Sequence, residues 1–368
     1  MTEAVTRDSR EPPGRAADPG PATFHGQNPE TVLASAISES TPTRCQARTR
    51  LYRDGVLELE GFPVADISDY LQDESVVLWL DLRDPDRDDL AVLSSEFGLH
   101  PLAIEDAVHK HERPKLDRYR SHLFLAAYAV YLNSESGQLA TSELAAFITD
   151  RALITVRKDD RLDIGAVVAY WDASPDLAKI GVGYLLHGLL DNIVDGYFAA
   201  VQALDDAIEG VEDRLFADVP GDRQVQQRSF MLRKSLVLLR RVVLPMREVV
   251  NALMRRDLHV INDSLQPYYQ DVYDHVLRAT EWTESLRDLV STILETNLTI
   301  QSNRMNVITK KVTSWAAIIA VPTFVTGFYG MNVPYPGFSR SSGLMTAAAV
   351  MLVTAIALYF VFKRKDWL

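Results

Sequence analysis

Two long uncharged apolar segments near the C-terminal end constrain this chain more than any other feature. Val312 to Tyr329 has no charged residue in 18 positions, and Leu344 to Phe362 has none in 19. At about 1.5 Å per residue, each would form a helix roughly 27 Å long, which nearly spans a bilayer core. The connecting residues 332–343 are too few to form a domain. The sequence therefore predicts a two-helix transmembrane hairpin, and two buried helices of a soluble protein are the less favoured alternative.

Basic residues at the ends of the two segments predict their orientation. Lys310 and Lys311 precede the first segment and the basic residues 363–365 follow the second, whereas the connecting loop carries only Arg340. Because Lys and Arg are enriched on the cytoplasmic side of membrane helices, we expect both termini, including the basic tail 363–368, to be cytoplasmic. The protein is then a multi-pass protein of the cell (inner or plasma) membrane.

The first segment carries a stripe of small or weakly polar side chains. Steps of three and four residues join Asn306, Thr309, Thr313, Ala316, Ala320, Thr323 and Gly327. Residues at this spacing share one face of a helix. One interpretation is close helix packing, which small residues permit. The other is the wall of a pore, and since one hairpin cannot enclose a path, this interpretation requires several copies.

Charge and cysteine content exclude several classes of protein. The net charge is −12, yet the segment 304–368 has seven basic residues and one acidic residue, so the acidity lies in residues 1–303. An acidic body argues against a nucleic-acid partner and favours cations. The single Cys45 excludes a disulfide framework and a Cys-based zinc site. We find no P-loop, G-x-S-x-G or H-E-x-x-H motif, so nothing in the sequence predicts an enzyme or an organic cofactor.

The remaining sequence predicts four further regions. Residues 1–49 are rich in Pro, Gly and mixed charge at their start and are expected to be a disordered tail. In 50–177, short apolar runs alternate with helical stretches, which is typical of an α/β domain. The segment 178–265 has apolar residues at three- and four-residue spacing and predicts two long antiparallel helices joined near Pro220. Residues 266–331 predict one helix about 90 Å long that continues into the first span.

Four segments in order resemble the CorA-type magnesium transport family: "FGLHPLAIEDAVHKHERPKLDRY" at 97–119, "QPYYQDVYDHVLRATEWTESLRDLV" at 266–290, "YGMN" at 329–332 and the terminal "KRKDWL". The resemblance covers roughly residues 50–368. It implies a homopentamer with a funnel-shaped cytoplasmic α/β domain on long stalk helices, in which the first span lines a pore and the second surrounds it. The family conducts Mg²⁺ inward along the membrane potential without ATP, and Co²⁺ or Ni²⁺ passage is compatible with it.

The matching motifs imply the site residues. Gly330, Met331 and Asn332 would form the outer selectivity site. Asn306 would mark the cytoplasmic end of the pore and Glu295 its inner mouth. The resemblance further implies that Asp106 in "IED" and Asp271 in "QDVYDH" bind regulatory Mg²⁺ between subunits.

Magnesium chemistry fits these roles. Mg²⁺ dehydrates reluctantly, so carbonyl and amide oxygens can hold the hydrated ion through its water molecules. Two carboxylates that face each other repel until a cation bridges them, so internal Mg²⁺ would favour a closed state.

The sequence departs from the family at three constrictions. Thr309 and Val312 stand where the family has methionine and leucine, and Ala320 stands where another methionine is common. A hydrophobic seal would therefore be formed by Val312 or by another layer. The outer loop "VPYPGFSRSSG" also has no Asp or Glu, so we expect it to concentrate cations weakly.

Two other functions remain open from the sequence. A proton-coupled Zn²⁺ carrier of the same superfamily shares the Gly-Met-Asn motif and the hairpin, but coupling needs a protonatable group in the path and the first span has none. A membrane-anchored sensor or enzyme would use the hairpin only as a tether.

Overall fold

The computed structural model describes residues 45–109, 113–133, 136–216, 223–255, 258, 260–332, 334, 336–338 and 340–368. Most of the expected tail 1–49, the expected joint at Pro220 and part of the loop 332–343 lie outside the described residues. Residues 46–49, which the sequence assigned to the tail, belong to the first strand.

A seven-stranded sheet forms the centre of the N-terminal half. Its order is β2-β1-β3-β7-β6-β5-β4, and only the β3–β7 pair is parallel. β7 reads "ALITVR" and is buried throughout, as expected for a β-branched strand in the middle of a sheet. The strands are β1 Gln46–Arg53, β2 Val56–Glu60, β3 Val76–Arg83, β4 Lys115–Arg118, β5 Leu123–Asn133, β6 Gln138–Ile148 and β7 Ala152–Arg157.

Short helices cover one face of the sheet. Following a 3-10 turn at Val64–Asp66, they are α1 Ile67–Tyr70, α2 Arg87–Phe97 and α3 Pro101–Val108. Their apolar residues pack with one set of alternating strand residues, including Leu80 and Phe124. The sequence predicts helical stretches around 87–97 and 101–109, and α2 and α3 match these ranges to within one residue.

Longer helices cover the opposite face. Here α4 Ile164–Asp172 and α5 Pro175–Ala178 precede α6 Val182–Phe216, α7 Arg223–Leu253 and α8 Gln266–Tyr329. The large core on this side contains Trp79 and Trp171, whose rings meet edge to face at 5.1 Å. Buried hydroxyl groups are satisfied across the layers, since Tyr197 donates to the Tyr128 carbonyl and Tyr269 to the Gly183 carbonyl, each at 2.8 Å. The α/β fold followed by long helices is therefore confirmed.

One continuous helix connects this body to the C-terminal hairpin. α8 has 64 residues and is about 96 Å long, and it passes through Pro322 without ending. α9 spans Ser341–Arg364 and packs against the end of α8. Both helices are long and apolar enough to cross a membrane.

Candidate functional site

The membrane half of α8 has one face that packs within the chain and one that does not. Within α8, only Ser314 and Val325 are buried beyond Ile293. Both lie toward α9, whose own buried residues are Gly343 and Ala347. The contact between α8 and α9 is therefore narrow, and most of its buried side chains are small.

The predicted pore stripe lies on the other side of α8. At about 100° per residue, its members are centred roughly 140° away from the direction of Ser314 and Val325. All of the proposed pore-lining residues are exposed in the single chain: Asn306, Thr309, Val312, Thr313, Ala316, Ala320, Thr323 and Gly327. No part of the described chain covers this face. Both interpretations, a pore wall and a helix-packing face between copies, require such an uncovered face.

Local hydrogen bonding satisfies hydroxyl donors along this helix. Thr323, which belongs to the stripe, donates to the Ile319 carbonyl at 3.0 Å. A hydroxyl that donates backward to its own helix still offers oxygen lone pairs outward. Such a face therefore presents acceptors, which suit a hydrated cation.

The Gly-Met-Asn segment follows directly on the last turn of α8. Gly330 donates its N–H to the Thr326 carbonyl at 2.9 Å, and Met331 donates to the Phe328 carbonyl at 3.3 Å. Gly330 has φ −82°, so the backbone conformation itself does not demand glycine. A Cβ there would lie 3.0 Å from the Thr326 oxygen, which is a tight contact. Asn332 and Met331 are exposed.

The end of α8 is electrostatically suited to a cation. The last carbonyls of a helix lack intrahelical donors and carry the negative end of the helix dipole. Several copies of this end around one axis would form a ring of carbonyl oxygens next to the Asn332 amide.

A close backbone contact returns the chain to α9. Gly337 has φ +92°, a conformation that favours glycine, and a Cβ on Gly343 would lie 2.4 Å from the Gly337 oxygen. These two glycines therefore allow the loop to fold onto the first turn of α9.

Asp106 lies on α3 at the surface of the α/β sheet. His100 caps this helix by accepting the Leu102 N–H at 3.2 Å, and Pro101 occupies its first position. The Asp106 carboxylate is about 30% exposed and contacts the Lys115 ammonium at 2.5 Å. Lys115 also contacts Asp117 at 2.8 Å.

Asp271 lies in the second turn of α8, in an acidic surrounding. Its carboxylate is 3.8 Å from Nε2 of His275, one turn further along. Potential ligand atoms of His275, Asp191 and Asp195 lie within 4.8 Å of one another, the two aspartates coming from α6. Burial raises the pKa of Asp191, which His275 counteracts and Asp271 reinforces. Burial and the neighbouring Asp191 charge likewise raise the pKa of Asp195.

This three-residue cluster was not assigned a role from the sequence. Asp191 and Asp195 are four residues apart on a predicted helix that carries many acidic residues, but nothing in that spacing connects them to His275. The i, i+4 spacing places Asp191 with Asp195, and Asp271 with His275, on one face of each helix, but it does not show that α6 and α8 are adjacent.

Within one chain, Asp106 and Asp271 belong to helices that pack on opposite faces of the sheet. α3 packs in the core on one face of the sheet, whereas α8 packs in the core on the other face. Glu295 and Asn306 are exposed further along α8, toward and into the hairpin. Within one chain, Asp106 and Asp271 therefore lie on helices of different layers.

Comparison with known proteins finds one family over most of the chain. A family model described as CorA-like Mg²⁺ transporter protein matches residues 74–364. The cobalt/magnesium transport protein CorA of Thermotoga maritima is 30% identical over 326 residues, which cover 84% of this chain and 90% of that protein.

A solved structure and a zinc protein provide two further comparisons. The complete structure of the CorA magnesium transporter from Methanocaldococcus jannaschii matches with a TM-score of 0.73 at 24% identity, over 88% of this chain and 98% of that one. This likeness shows a shared fold. The zinc transport protein ZntB of Yersinia enterocolitica is 24% identical over 292 residues, covering 79% of this chain and 88% of that protein.

Proposed function

The chain belongs to the family of CorA-like Mg²⁺ transporter proteins, and from this membership we propose that it carries Mg²⁺ through a bilayer pore formed by several copies. Five copies are expected from the family resemblance. The observation that carries the proposal is the exposed polar stripe of α8, which lies away from α9 and leads to Asn332. Both termini lie in the cytoplasm in this arrangement, because Lys310, Lys311 and residues 363–365 flank the hairpin.

Gly330, Met331 and Asn332 form the outer selectivity site in this proposal. The helix-end carbonyls and the Asn332 amide bind Mg²⁺ through its retained waters, so the ion need not be dehydrated. A neutral site of this kind binds a divalent ion weakly enough to release it inward. The hydrated ion then passes the hydroxyl-bearing stripe, and Asn306 and Glu295 mark the inner end of the path.

Internal Mg²⁺ closes the pore by binding between cytoplasmic domains. Asp106 of one copy and Asp271 of the next supply carboxylates that repel each other until a cation bridges them. Asp191, Asp195 and His275 add oxygen and nitrogen donors beside Asp271. Since α8 is continuous from Asp271 to the pore, a change of tilt at the subunit contact reaches the membrane span directly.

Proton-coupled Zn²⁺ transport is the second candidate, because ZntB is among the relatives. Residues 306–327, all of which the structure describes, contain no His, Asp or Glu. Proton coupling through this face would therefore need a group outside it. This feature favours a channel driven by the membrane potential.

The proposal is tested with the full chain reconstituted in lipid vesicles. Mg²⁺ entry is measured with an inside-negative potential and no pH gradient, for the wild type, Asn332→Ala and the control Asn251→Ala. Asn251 is exposed on α7 and lies outside the hairpin. We expect entry in the wild type and the control and its loss, by at least about tenfold, in Asn332→Ala, corresponding to about 1.4 kcal/mol.

Other outcomes discriminate between the candidates. Entry that is unchanged in Asn332→Ala would refute the selectivity assignment. Zn²⁺ entry that requires an imposed proton gradient, with no Mg²⁺ entry, would establish the carrier. No ion flux in any variant would leave the hairpin as an anchor.

A further inference from the structure

The Asp106 carboxylate already has a cation within its own chain. Nζ of Lys115 lies 2.5 Å from Oδ2 of Asp106 and 2.8 Å from Oδ2 of Asp117. The ammonium thus sits between two carboxylates, one on α3 and one on the edge strand β4.

The fold holds Lys115 in this position. Lys115 and Asp117 are two residues apart on β4, so both side chains project to the same face of the sheet, where α3 packs. The ammonium also lies 5.4 Å from the centre of the Phe124 ring, close enough for a cation–π contact. Only about 30% of the Lys115 side chain is exposed.

The charge of Lys115 is maintained at this site. Burial alone would lower its pKa, but hydrogen bonds to Asp106 and Asp117 outweigh burial and raise the pKa above its ordinary value. A lysine is charged at neutral pH even with an ordinary pKa, so the ammonium acts here through its position between the two carboxylates.

We propose that Lys115 is a tethered competitor for the regulatory cation at Asp106 and sets the Mg²⁺ concentration at which the pore closes. The inference rests on the proposed regulatory role of Asp106. When internal Mg²⁺ is low, the ammonium occupies the cation position at Asp106, so no divalent ion bridges Asp106 to Asp271 of the next copy and the subunit contact stays open. When Mg²⁺ is high, the divalent ion displaces the ammonium, and the carboxylate becomes available for bridging to the next copy.

Asp117 offers the displaced Lys115 ammonium a second partner, so the exchange of ammonium for Mg²⁺ at Asp106 is reversible. An ammonium that leaves Asp106 retains its contact with Asp117, so it is not left unpaired beside the Phe124 ring. Displacement therefore costs less than removal of an isolated buried charge. Loss of the Asp117 charge should make Lys115 hold Asp106 more tightly.

The test compares Mg²⁺ titrations of the full-length protein. The variants are Lys115→Met, which keeps the apolar stem, Asp117→Asn, and their combination. Lys179→Met is the matched control, since Lys179 is 65% exposed and faces Asp54 at 3.8 Å on the other side of the sheet. Two midpoints are measured: internal Mg²⁺ against the rate of Mg²⁺ entry into vesicles, and Mg²⁺ against thermal unfolding in detergent.

Opposite shifts are expected from the two single variants. Lys115→Met should lower both midpoints about three- to tenfold, because a half-buried ion pair no longer competes. Asp117→Asn should raise them, Lys179→Met should leave them unchanged, and Asp117→Asn should have little effect in the Lys115→Met background. This last comparison separates an action through Lys115 from a general loss of negative charge.

The inference is overturned if Lys115→Met leaves the midpoints unchanged or raises them while the wild type responds to Mg²⁺. Failure of the regulatory proposal has a different signature, namely a wild type with no Mg²⁺-dependent midpoint at all. If Lys115→Met does not fold, Lys115→Gln replaces it and should likewise lower the midpoints. Asp117→Asn should still raise them, and the absence of both shifts would overturn the inference.

Discussion

The α/β body and the membrane hairpin differ in how far one chain completes its own packing. In the body, Trp79 and Trp171 are essentially fully buried, and two cores enclose the sheet. In the hairpin, Trp315 is 52% exposed and Phe324 is 77% exposed. The body therefore obtains its structure from contacts within the chain, whereas the hairpin leaves most of its apolar surface to contacts outside the chain.

The largest expected effect contrasts two tryptophans. Trp171→Ala removes a ring that packs on Trp79 and donates to the Leu185 carbonyl at 3.0 Å. It should lower the free energy of unfolding of the body by about 3–5 kcal/mol. Trp315→Ala in the hairpin should change this quantity by less than about 1 kcal/mol. Urea unfolding of the detergent-solubilised protein, followed by circular dichroism, measures both, and equal losses would contradict the contrast.

A buried ion pair should give the next largest effect. Arg157 donates to both oxygens of Asp81, at 2.9 and 2.6 Å, and both side chains are buried. Among the described residues, Arg157→Met leaves the Asp81 charge with the Thr155 hydroxyl as its remaining close donor, so a loss of about 3 kcal/mol is expected.

The half-exposed pair of Arg240 and Glu284 provides the control for this prediction. Arg240→Met should cost at most about 1 kcal/mol, because water solvates both partners. The same urea titration compares the two variants. A similar cost for both would mean that burial does not determine the strength of ion pairs in the body.

The sequence predicted the features of the body and the hairpin that depend on local periodicity. The apolar spans, the stripe on α8 and the long helices follow from repeats of three and four residues, which determine a helix face without knowledge of neighbours. The strands β1, β2 and β4 have no continuous apolar run that would predict them, because charged residues interrupt segments such as "QARTRLYR" and "VLELE". These strands lie toward the edges of the sheet. Their pairing depends on distant strands.

Contacts between elements could not be read from the sequence either. Asp106 and Asp271 were selected by motif, but the contact of Lys115 with Asp106 requires the register of β4 and the packing of α3. The Asp191, Asp195 and His275 cluster likewise needs α6 and α8 to be adjacent. Such side chains meet through tertiary packing, which no spacing along the chain specifies.

The pH dependence of stability should also originate in the body. His122 is buried against Tyr119 and Phe147, and burial together with the His100 charge lowers its pKa to about 4. Between pH 6.5 and about 4 the unfolded chain binds a proton that the folded chain does not, so stability falls as pH falls.

The His122→Phe variant isolates this contribution. It should reduce the loss by up to about 1.4 kcal/mol per pH unit, since it removes one such proton while retaining an aromatic ring. Urea unfolding at several pH values measures the slope. The prediction fails if the slopes of variant and wild type coincide between pH 6.5 and 4.

The smallest expected effect contrasts helix ends in the two regions. Asp86 caps α2 by accepting the Asp89 N–H at 2.9 Å, while Asp89 accepts the Asp86 N–H at 3.2 Å. In α9, the capping residue Arg340 makes no side-chain capping bond. Asp86→Ala should therefore cost about 1 kcal/mol of unfolding free energy, whereas Arg340→Ala should stay within about 0.5 kcal/mol. Because both changes truncate an exposed side chain next to a helix, the difference between their urea midpoints reports the cap itself. An equal midpoint for both would show that α2, like α9, is held by packing rather than by its first turn.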